Sequence, residues 1–120
     1  MTPNLIPVEN AEVMTALCRA QKENILATSK QGQGIIPTCE TFSRDAFDLL
    51  LDISECTGVR IYSAMDNDLK IRFVICGVNS ANEDVFIPVT PSLGGEPVPS
   101  VIENGIRCPN ECPPDSPLNN

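Results

Sequence analysis

Residues 59–78, VRIYSAMDNDLKIRFVICGV, carry the strongest structural signal in the chain. In the first half, Val59, Ile61 and Met65 lie at alternate positions and share one face of a strand, because successive side chains of a strand point to opposite faces. The polar residues 66–68 that follow are typical of a tight turn, since Asn and Asp tolerate the backbone angles that turns need. The stretch therefore predicts an antiparallel hairpin.

The second strand of this hairpin, residues 69–78, is predicted to lie in the centre of a sheet. Its middle residues, 73–76, are apolar on both faces, which is typical of a strand that is covered on both sides. The polar residues 79–82 indicate another turn. Residues 84–87 are predicted to form a third strand that ends at Pro88, because proline has no amide for a strand ladder. The result is a three-stranded antiparallel meander with two open edges.

Two helices are predicted before the strands. The first runs from about Asn10, as its N-cap, to about Thr28, and the second begins after the N-cap Ser43 and ends near Ser54. The first helix has apolar residues on one face at helical spacing: Val13, Met14, Leu17, Ala20 and Ile25. The predicted fold class is therefore α+β, with two helices packed on a three-stranded antiparallel meander.

The chain divides into three predicted segments. Residues 1–8 form an extended arm, because prolines in it exclude an early helix, and residues 9–88 form the α+β domain. Residues 89–120 form a Pro/Cys-rich extended tail, since eight of the 11 prolines lie from Pro88 onward. Within the tail, a short apolar segment is expected to dock as an edge strand, in this chain or in a neighbour; its residues are Val98, Val101 and Ile102.

The charge of the chain excludes several classes of partner. It has 16 acidic and 8 basic residues and a net charge of −8. Nucleic-acid binding is not expected, because it needs clustered basic residues that neutralise phosphates. No stretch approaches the roughly 20 apolar residues of a membrane span. The N-terminus has no standard secretory signal, so we expect a cytoplasmic protein, with export by a non-standard route left open.

Six cysteines are present, and the pair Cys108 and Cys112 is the sharpest local feature. It is interpreted as a disulfide, within the tail or to another cysteine, or as a crosslink between chains. A zinc site or a redox pair is the less favoured alternative, because the spacing is one residue too long, no second pair exists and the chain has no His. The other four cysteines are expected to be free thiols, and no metal or cofactor is expected.

The usual signals of an enzyme are missing from the sequence. There is no His, the commonest general acid or base. No Gly-x-Ser-x-Gly or Ser-x-x-Lys motif occurs, and Gly32-x-Gly34 lacks the rest of a dinucleotide fingerprint. We therefore expect a non-enzymatic protein with no catalytic residues.

Three stretches together suggest a family. They are residues 37–47, PTCETFSRDAF, residues 60–66, RIYSAMD, and residues 107–119, RCPNECPPDSPLN. In these stretches the chain resembles a family of small uncharacterised proteins from Bacteroidota, and the tail is the most specific part of the likeness. Ser63-Ala64 stands where that family has an aromatic residue and Gly. The resemblance implies a bacterial source and assigns no activity.

The leading functional hypothesis is a structural protein that self-associates as a homo-oligomer, with a filament as the extended form. The open sheet edges motivate it, and the apolar tail segment Val98, Val101 and Ile102 is the predicted assembly segment. One alternative is a cytoplasmic adaptor or binding module that a partner protein recognises through the Pro-rich tail. Another alternative is a metal-binding or thiol-redox protein.

Overall fold

The computed structural model describes residues 3–120 and confirms an α+β fold. The first two residues of the predicted arm lie outside the described residues. The secondary-structure elements of the described chain follow in order: α1 (Val8–Gln21), a 3-10 helix (Thr28–Lys30), β1 (Cys39–Thr41), α2 (Arg44–Leu51), β2 (Gly58–Met65), β3 (Ile71–Val78), β4 (Asp84–Val85), β5 (Ile87–Val89), β6 (Val98–Ser100) and β7 (Ile106–Cys108).

The chain forms two compact units, and each is described by itself. Glu40–Ile106 makes up the sheet unit, and the chain up to Cys39 together with Arg107–Asn120 makes up the terminal unit. These bounds differ from the predicted arm, domain and tail. The first part of the tail belongs to the sheet unit, because its residues supply strand partners to that unit.

The sheet of the sheet unit has the strand order β2-β3-β4, with β3 in the centre. Both pairings are antiparallel, and Ile61 of β2 lies opposite Ile75 of β3. The predicted meander is thus confirmed. The third strand is shorter than predicted, because the chain leaves β4 after Val85 and pairs again as β5 with β6. Pro88 does not end that second pairing, since it lies opposite Pro99, where neither residue has an amide to donate.

The core of the sheet unit forms between α2 and β3. Ser43 is the N-cap of α2, as predicted, and its hydroxyl accepts a hydrogen bond from the Ala46 amide at 3.2 Å. The helix ends at Leu51, three residues before the predicted end. Leu50 is fully buried, and it clusters with the other buried aliphatic residues Ile75, Ile87 and Ile102.

A glycine in β3 allows the close approach of α2. A Cβ atom at Gly77 would lie 3.0 Å from Leu50 Cδ1 and 2.7 Å from Cys56 Sγ. Real Cβ atoms do not approach other atoms this closely, so a larger residue would force the helix away from the sheet. Gly77 therefore sets the distance between the two layers.

The turn between β2 and β3 confirms the predicted hairpin. The Leu69 amide donates to Asp66 O at 3.0 Å, and the Asp66 amide donates to Lys70 O at 3.0 Å. The Asp66 carboxylate also accepts from the amides of Asp68 and Lys70. The left-handed residue of the turn is Leu69, with φ +64°, rather than one of the polar residues before it.

The terminal unit contains α1 and the end of the chain. α1 begins at Val8, two residues before the predicted N-cap Asn10, because the carbonyl of Pro7 accepts the first helical bonds and its fixed φ suits the N-cap position. The helix ends at Gln21 rather than near Thr28. Beyond it, the chain passes through a turn into the 3-10 helix. Arg19 of α1 donates to the carbonyls of Leu118 and Asn120.

Candidate functional site

The hydrogen bonds around β3 show which backbone groups of β2 point away from the sheet. Ile75 exchanges two backbone bonds with Ile102, of 2.9 and 2.8 Å, on the side of β3 away from β2. At the hairpin end, the bond from Asp66 N to Lys70 O makes Asp66 and Lys70 a hydrogen-bonded pair between the two strands. Along an antiparallel ladder, hydrogen-bonded pairs alternate with non-hydrogen-bonded pairs. The even-numbered residues of β2 therefore bond to β3, and the odd-numbered ones point their N–H and C=O groups outward.

The outward groups form an open edge. They belong to Val59, Ile61, Ser63 and Met65, and no strand within residues 3–120 pairs with this side of β2. Ile61 is 61% exposed and Met65 is 55% exposed. β2 contains no acidic residue, although the chain carries a net charge of −8. A long, apolar and unpaired edge strand is a template for pairing with another chain.

One face of the sheet next to this edge is apolar. A groove of about 330 Å³ lies between β2, β3 and α2, and its lining is mostly aliphatic and aromatic. Ile61 forms its wall on the β2 side, and Phe73 of β3 and Phe47 of α2 form the opposite side. The helix α2 thus covers the β3 side of this face, and the β2 side stays exposed. The apolar surface continues to the open edge.

The other face of the sheet carries a polar network centred on Asp84. Its carboxylate accepts hydrogen bonds from Arg60 at 2.6 Å, from the Tyr62 hydroxyl at 2.9 Å, and from the Cys76 thiol at 3.5 Å. Arg60 also donates to the side chain of Asn82. The network joins β2, β3 and β4, and it neutralises Arg60, the one charged residue of β2.

These contacts shift the pKa values of the network in opposite directions. The pKa of Asp84 is lowered, first by the hydrogen bond from Tyr62 and then by the one from Arg60. The hydrogen bond to Asp84 raises the pKa of Tyr62. Burial raises the pKa of Cys76, so this thiol stays protonated at neutral pH and is a poor nucleophile. The arrangement links β2, β3 and β4 through one carboxylate.

A second polar network stabilises the hairpin end of the same face. Arg72 pairs with Asp66 at 3.3 Å and with Glu103 at 2.8 Å. The pKa of Asp66 is lowered, mainly by the backbone hydrogen bond from Lys70. The first network thus links Arg60 and Tyr62 of β2 to Asp84, and the second links the turn residue Asp66 to β3.

In the terminal unit, α1 also leaves its apolar residues exposed. No residue of α1 is buried, and the half-buried positions are Ala11, Thr15 and Arg19, one turn apart. The predicted apolar face points the other way: Val13 and Leu17 are 68% and 62% exposed. The stripe predicted at helical spacing is thus present, and its larger residues are exposed in the described chain.

The predicted assembly segment has partners in its own chain. Val98 belongs to β6 and lies opposite Val89 of β5. Ile102 is buried and forms the bridge to Ile75, whereas Val101 is partly exposed. The structure therefore brings Val98 and Ile102 into the sheet unit. Their role in assembly stays a prediction.

Cys108 and Cys112 form a disulfide within the chain, with Cα atoms 4.5 Å apart. Of the other cysteines, Cys18 is exposed, Cys76 is buried, and Cys39 and Cys56 are intermediate; all four are free. Within residues 3–120, no group of three or more His, Cys, Asp or Glu side chains is arranged to hold a metal ion. The metal-binding and adaptor alternatives stay predictions.

The sequence prediction did not single out β2 as the candidate site. A signal was present, because Val59, Ile61 and Met65 alternate in a strand with no acidic residue. Whether that strand lies at an edge depends on partners distant in sequence. The contact between Tyr62 and Asp84 spans 22 positions, and no local pattern indicates it.

Comparison with known proteins adds no assignment. No protein family, curated protein or solved structure matches this chain. No helix of the described residues has the length and apolar character needed to cross a membrane.

Proposed function

We propose that this chain is a non-enzymatic structural protein that self-associates, with a filament as its extended form. The observation that supports this most directly is the open edge of β2, whose outward backbone groups have no partner strand in residues 3–120. Backbone groups of an edge strand pair with any extended chain of suitable register. In self-association, every copy that has an open edge also supplies a strand for the edge of another copy.

The charge distribution supports a contact at this strand. Copies with a net charge of −8 repel one another, so a stable contact must exclude acidic side chains. β2 meets this condition, since its single charged residue, Arg60, is paired with Asp84 of the same chain. Higher salt should strengthen the association, because it screens the repulsion between the remaining acidic residues.

The outward face of α1 offers a second surface for the same kind of contact. Val13, Met14 and Leu17 are exposed along it, and a helix usually gains its stability by burying such a face. We propose that a second copy covers this face. Two different contacts on one chain extend an assembly beyond the dimer, whereas a single two-fold contact closes it.

Light scattering and negative-stain microscopy of purified protein test the proposal. We expect species much larger than the 13.0 kDa chain, with regular fibres at high concentration. Reductant should not dissolve them, because the disulfide between Cys108 and Cys112 lies within one chain. A 13 kDa species at all concentrations and salt levels would contradict self-association.

A proline at the edge provides the matched variant. The amide of Ser63 points outward, so Ser63→Pro removes an edge donor without removing a bond between β2 and β3. We expect this variant to keep its circular dichroism spectrum and to lose the large species. Ser63→Ala keeps the amide and should assemble like the unchanged protein. Large species of equal size in both variants would show that β2 is not the contact.

A further inference from the structure

We propose that the open edge of β2 binds β2 of a second copy, antiparallel, with Tyr62 of each chain on the two-fold axis. This inference rests on the proposed function and goes further, because it names the occupant of the edge and its register. Five observations support it: the direction of the backbone groups, the strand's length, its charge, its apolar face and the prolines of the other available segment.

The direction of the backbone groups restricts the register. In a two-fold pairing, the residue numbers of opposite partners have a constant sum. Only odd-numbered residues of β2 point outward, so hydrogen-bonded partners across the new ladder must both be odd. This condition excludes every register that pairs an outward residue with an inward one, including the one that would overlap all eight residues of β2.

Among the remaining registers, the one centred on Tyr62 gives a hydrogen-bond partner to every outward N–H and C=O group of β2. It places Val59 opposite Met65 of the second copy and Ile61 opposite Ser63 of the second copy. The four outward residues of each strand then bond to one another, with about eight backbone hydrogen bonds in total. This number is within the usual range for a specific protein interface. A register centred on Ile61 would leave Met65 without a partner inside the strand.

The charges favour the same register. With Tyr62 on the axis, Arg60 lies opposite Ala64 of the second copy, and the two arginines are about 14 Å apart along the strands. With Ile61 on the axis, the two arginines would be separated by only about 7 Å. Two like charges that lie this close to each other weaken a strand pairing. No carboxylate of β2 enters the contact, because the strand has none.

The side chains on both faces suit this pairing. Tyr62 is 43% exposed. On the axis it lies opposite Tyr62 of the second copy as a non-hydrogen-bonded pair, whose Cα atoms are about 4.5 Å apart. Aromatic pairs at such positions stabilise sheets. On the other face, Met65 lies opposite Val59 of the second copy, and the two copies of Ile61 are diagonal neighbours beside the axis, so the apolar side chains of the two edges lie on one side of the joined sheet.

The other segments of the chain are poorer occupants of the edge. Val98–Ser100 is already paired with β5. The segment before α1 is bounded by Pro3 and Pro7, which have no amides, so it can offer donors only between them. β2 of a second copy offers an eight-residue strand whose outer side has no partner strand within residues 3–120.

Engineered disulfides test the occupant and the register together. Tyr62→Cys, in a chain that also carries Cys18→Ser to remove the exposed thiol, should form a covalent dimer in oxidised glutathione. A cross-strand distance of about 4.5 Å lies within the range that a disulfide accepts. Ala64→Cys in the same background is the matched control, and it should stay uncrosslinked because it lies opposite Arg60.

A second measurement leaves Tyr62 intact. Ile61→Cys and Ser63→Cys, each alone, should form no covalent dimer under oxidation, whereas their mixture should give a covalent heterodimer, since the two positions face each other across the axis. Crosslinking of Ile61→Cys alone would overturn the register. If neither Tyr62→Cys nor the mixture crosslinks while the unchanged protein still forms large species, the occupant is wrong and self-association stands. If the unchanged protein is a monomer, both proposals fail.

Discussion

β2 and β3 are neighbouring strands of equal length, with eight residues each, but their surroundings differ. β3 has partners on both sides and contains three consecutive buried residues, Ile75–Gly77. β2 has a partner on one side only, and none of its residues is buried. The middle of β3 is apolar on both faces, whereas β2 has one apolar face, formed by Val59, Ile61 and Met65. That apolar face lies at an open edge, where no strand of the described chain covers it.

The two helices differ in the same way. α2 is capped by Ser43 and buries Leu50 completely, whereas α1 buries no residue and exposes Leu17. In each pair of elements, one member supplies the core of this chain. The other member keeps an apolar surface that the described chain does not cover. This contrast is the physical basis of the proposed assembly.

The largest expected effect is in the core beside β3. Leu50→Ala should lower the free energy of unfolding by about 2–5 kcal/mol, because it leaves a cavity between α2 and the sheet. Leu49→Ala is the matched control, since Leu49 is its 59% exposed neighbour, and its effect should stay within about 0.5 kcal/mol. Urea denaturation followed by circular dichroism measures both. Equal effects would refute the described position of α2.

A smaller loss is expected from the glycine that separates the two layers. Gly77→Ala should cost about 1–3 kcal/mol in unfolding free energy, because the added methyl group would overlap Leu50 and Cys56. Gly58→Ala in β2 should cost less, since the new atom meets only a methyl group of Val78, at 3.2 Å. Thermal denaturation of the two variants compares the strands directly. A larger effect at Gly58 would contradict the contrast between them.

A modest gain is expected at the turn that joins the strands. Leu69 has a φ of +64°, which costs energy for any side chain with a Cβ atom. Leu69→Gly should therefore raise the free energy of unfolding by about 0.5–1 kcal/mol, after the greater freedom of Gly in the unfolded chain is subtracted. Asn67→Gly should instead lower the free energy of unfolding, because no left-handed strain is relieved there and Gly only increases the freedom of the unfolded chain. The sign of the two changes is the test.

The smallest effect is a change in pH dependence. The pKa of Asp84 is lowered in the folded chain, so its contribution to stability is present above the ordinary Asp pKa of about 3.9 and is lost as the pH falls through the folded value. Asp84→Asn should flatten the acid limb of a plot of unfolding free energy against pH. Asp115→Asn, in the tail, should leave this limb unchanged. Identical curves for the two variants would contradict the network.

Local chemistry made part of this fold predictable. Ser43 is followed by a helical pattern, and the polar residues 66–68 separate two alternating segments, so the N-cap of α2 and the hairpin followed from neighbouring residues. The end of α1 and the pairing of Pro88 with Pro99 did not. After Gln21 the backbone forms local turn bonds in place of further helix, and the pairing of Pro88 with Pro99 is a contact between separate segments that a pattern read along the chain does not contain.

The candidate site was harder to predict than the fold. The pattern of β2 indicated a strand with one apolar face, and it did not indicate which strand would lie at the edge. The tail segment was predicted to dock as an edge strand in this chain or in a neighbour, and Ile102 is buried against β3 of the same chain. That contact covers the outer side of β3 at Ile75, beside the pairing of β4 with Gly77 and Val78, whereas the outer side of β2 has no strand partner in residues 3–120.

Residue-resolved amide hydrogen exchange, at low and high protein concentration, tests the central claim most directly. In a free monomer, the inward amides of Arg60, Tyr62 and Ala64 are protected, and the outward amides of Ile61 and Ser63 exchange fast. We predict that this alternation disappears at high concentration, because the outward amides bond to a second copy. An alternation that persists at every concentration would contradict pairing through β2.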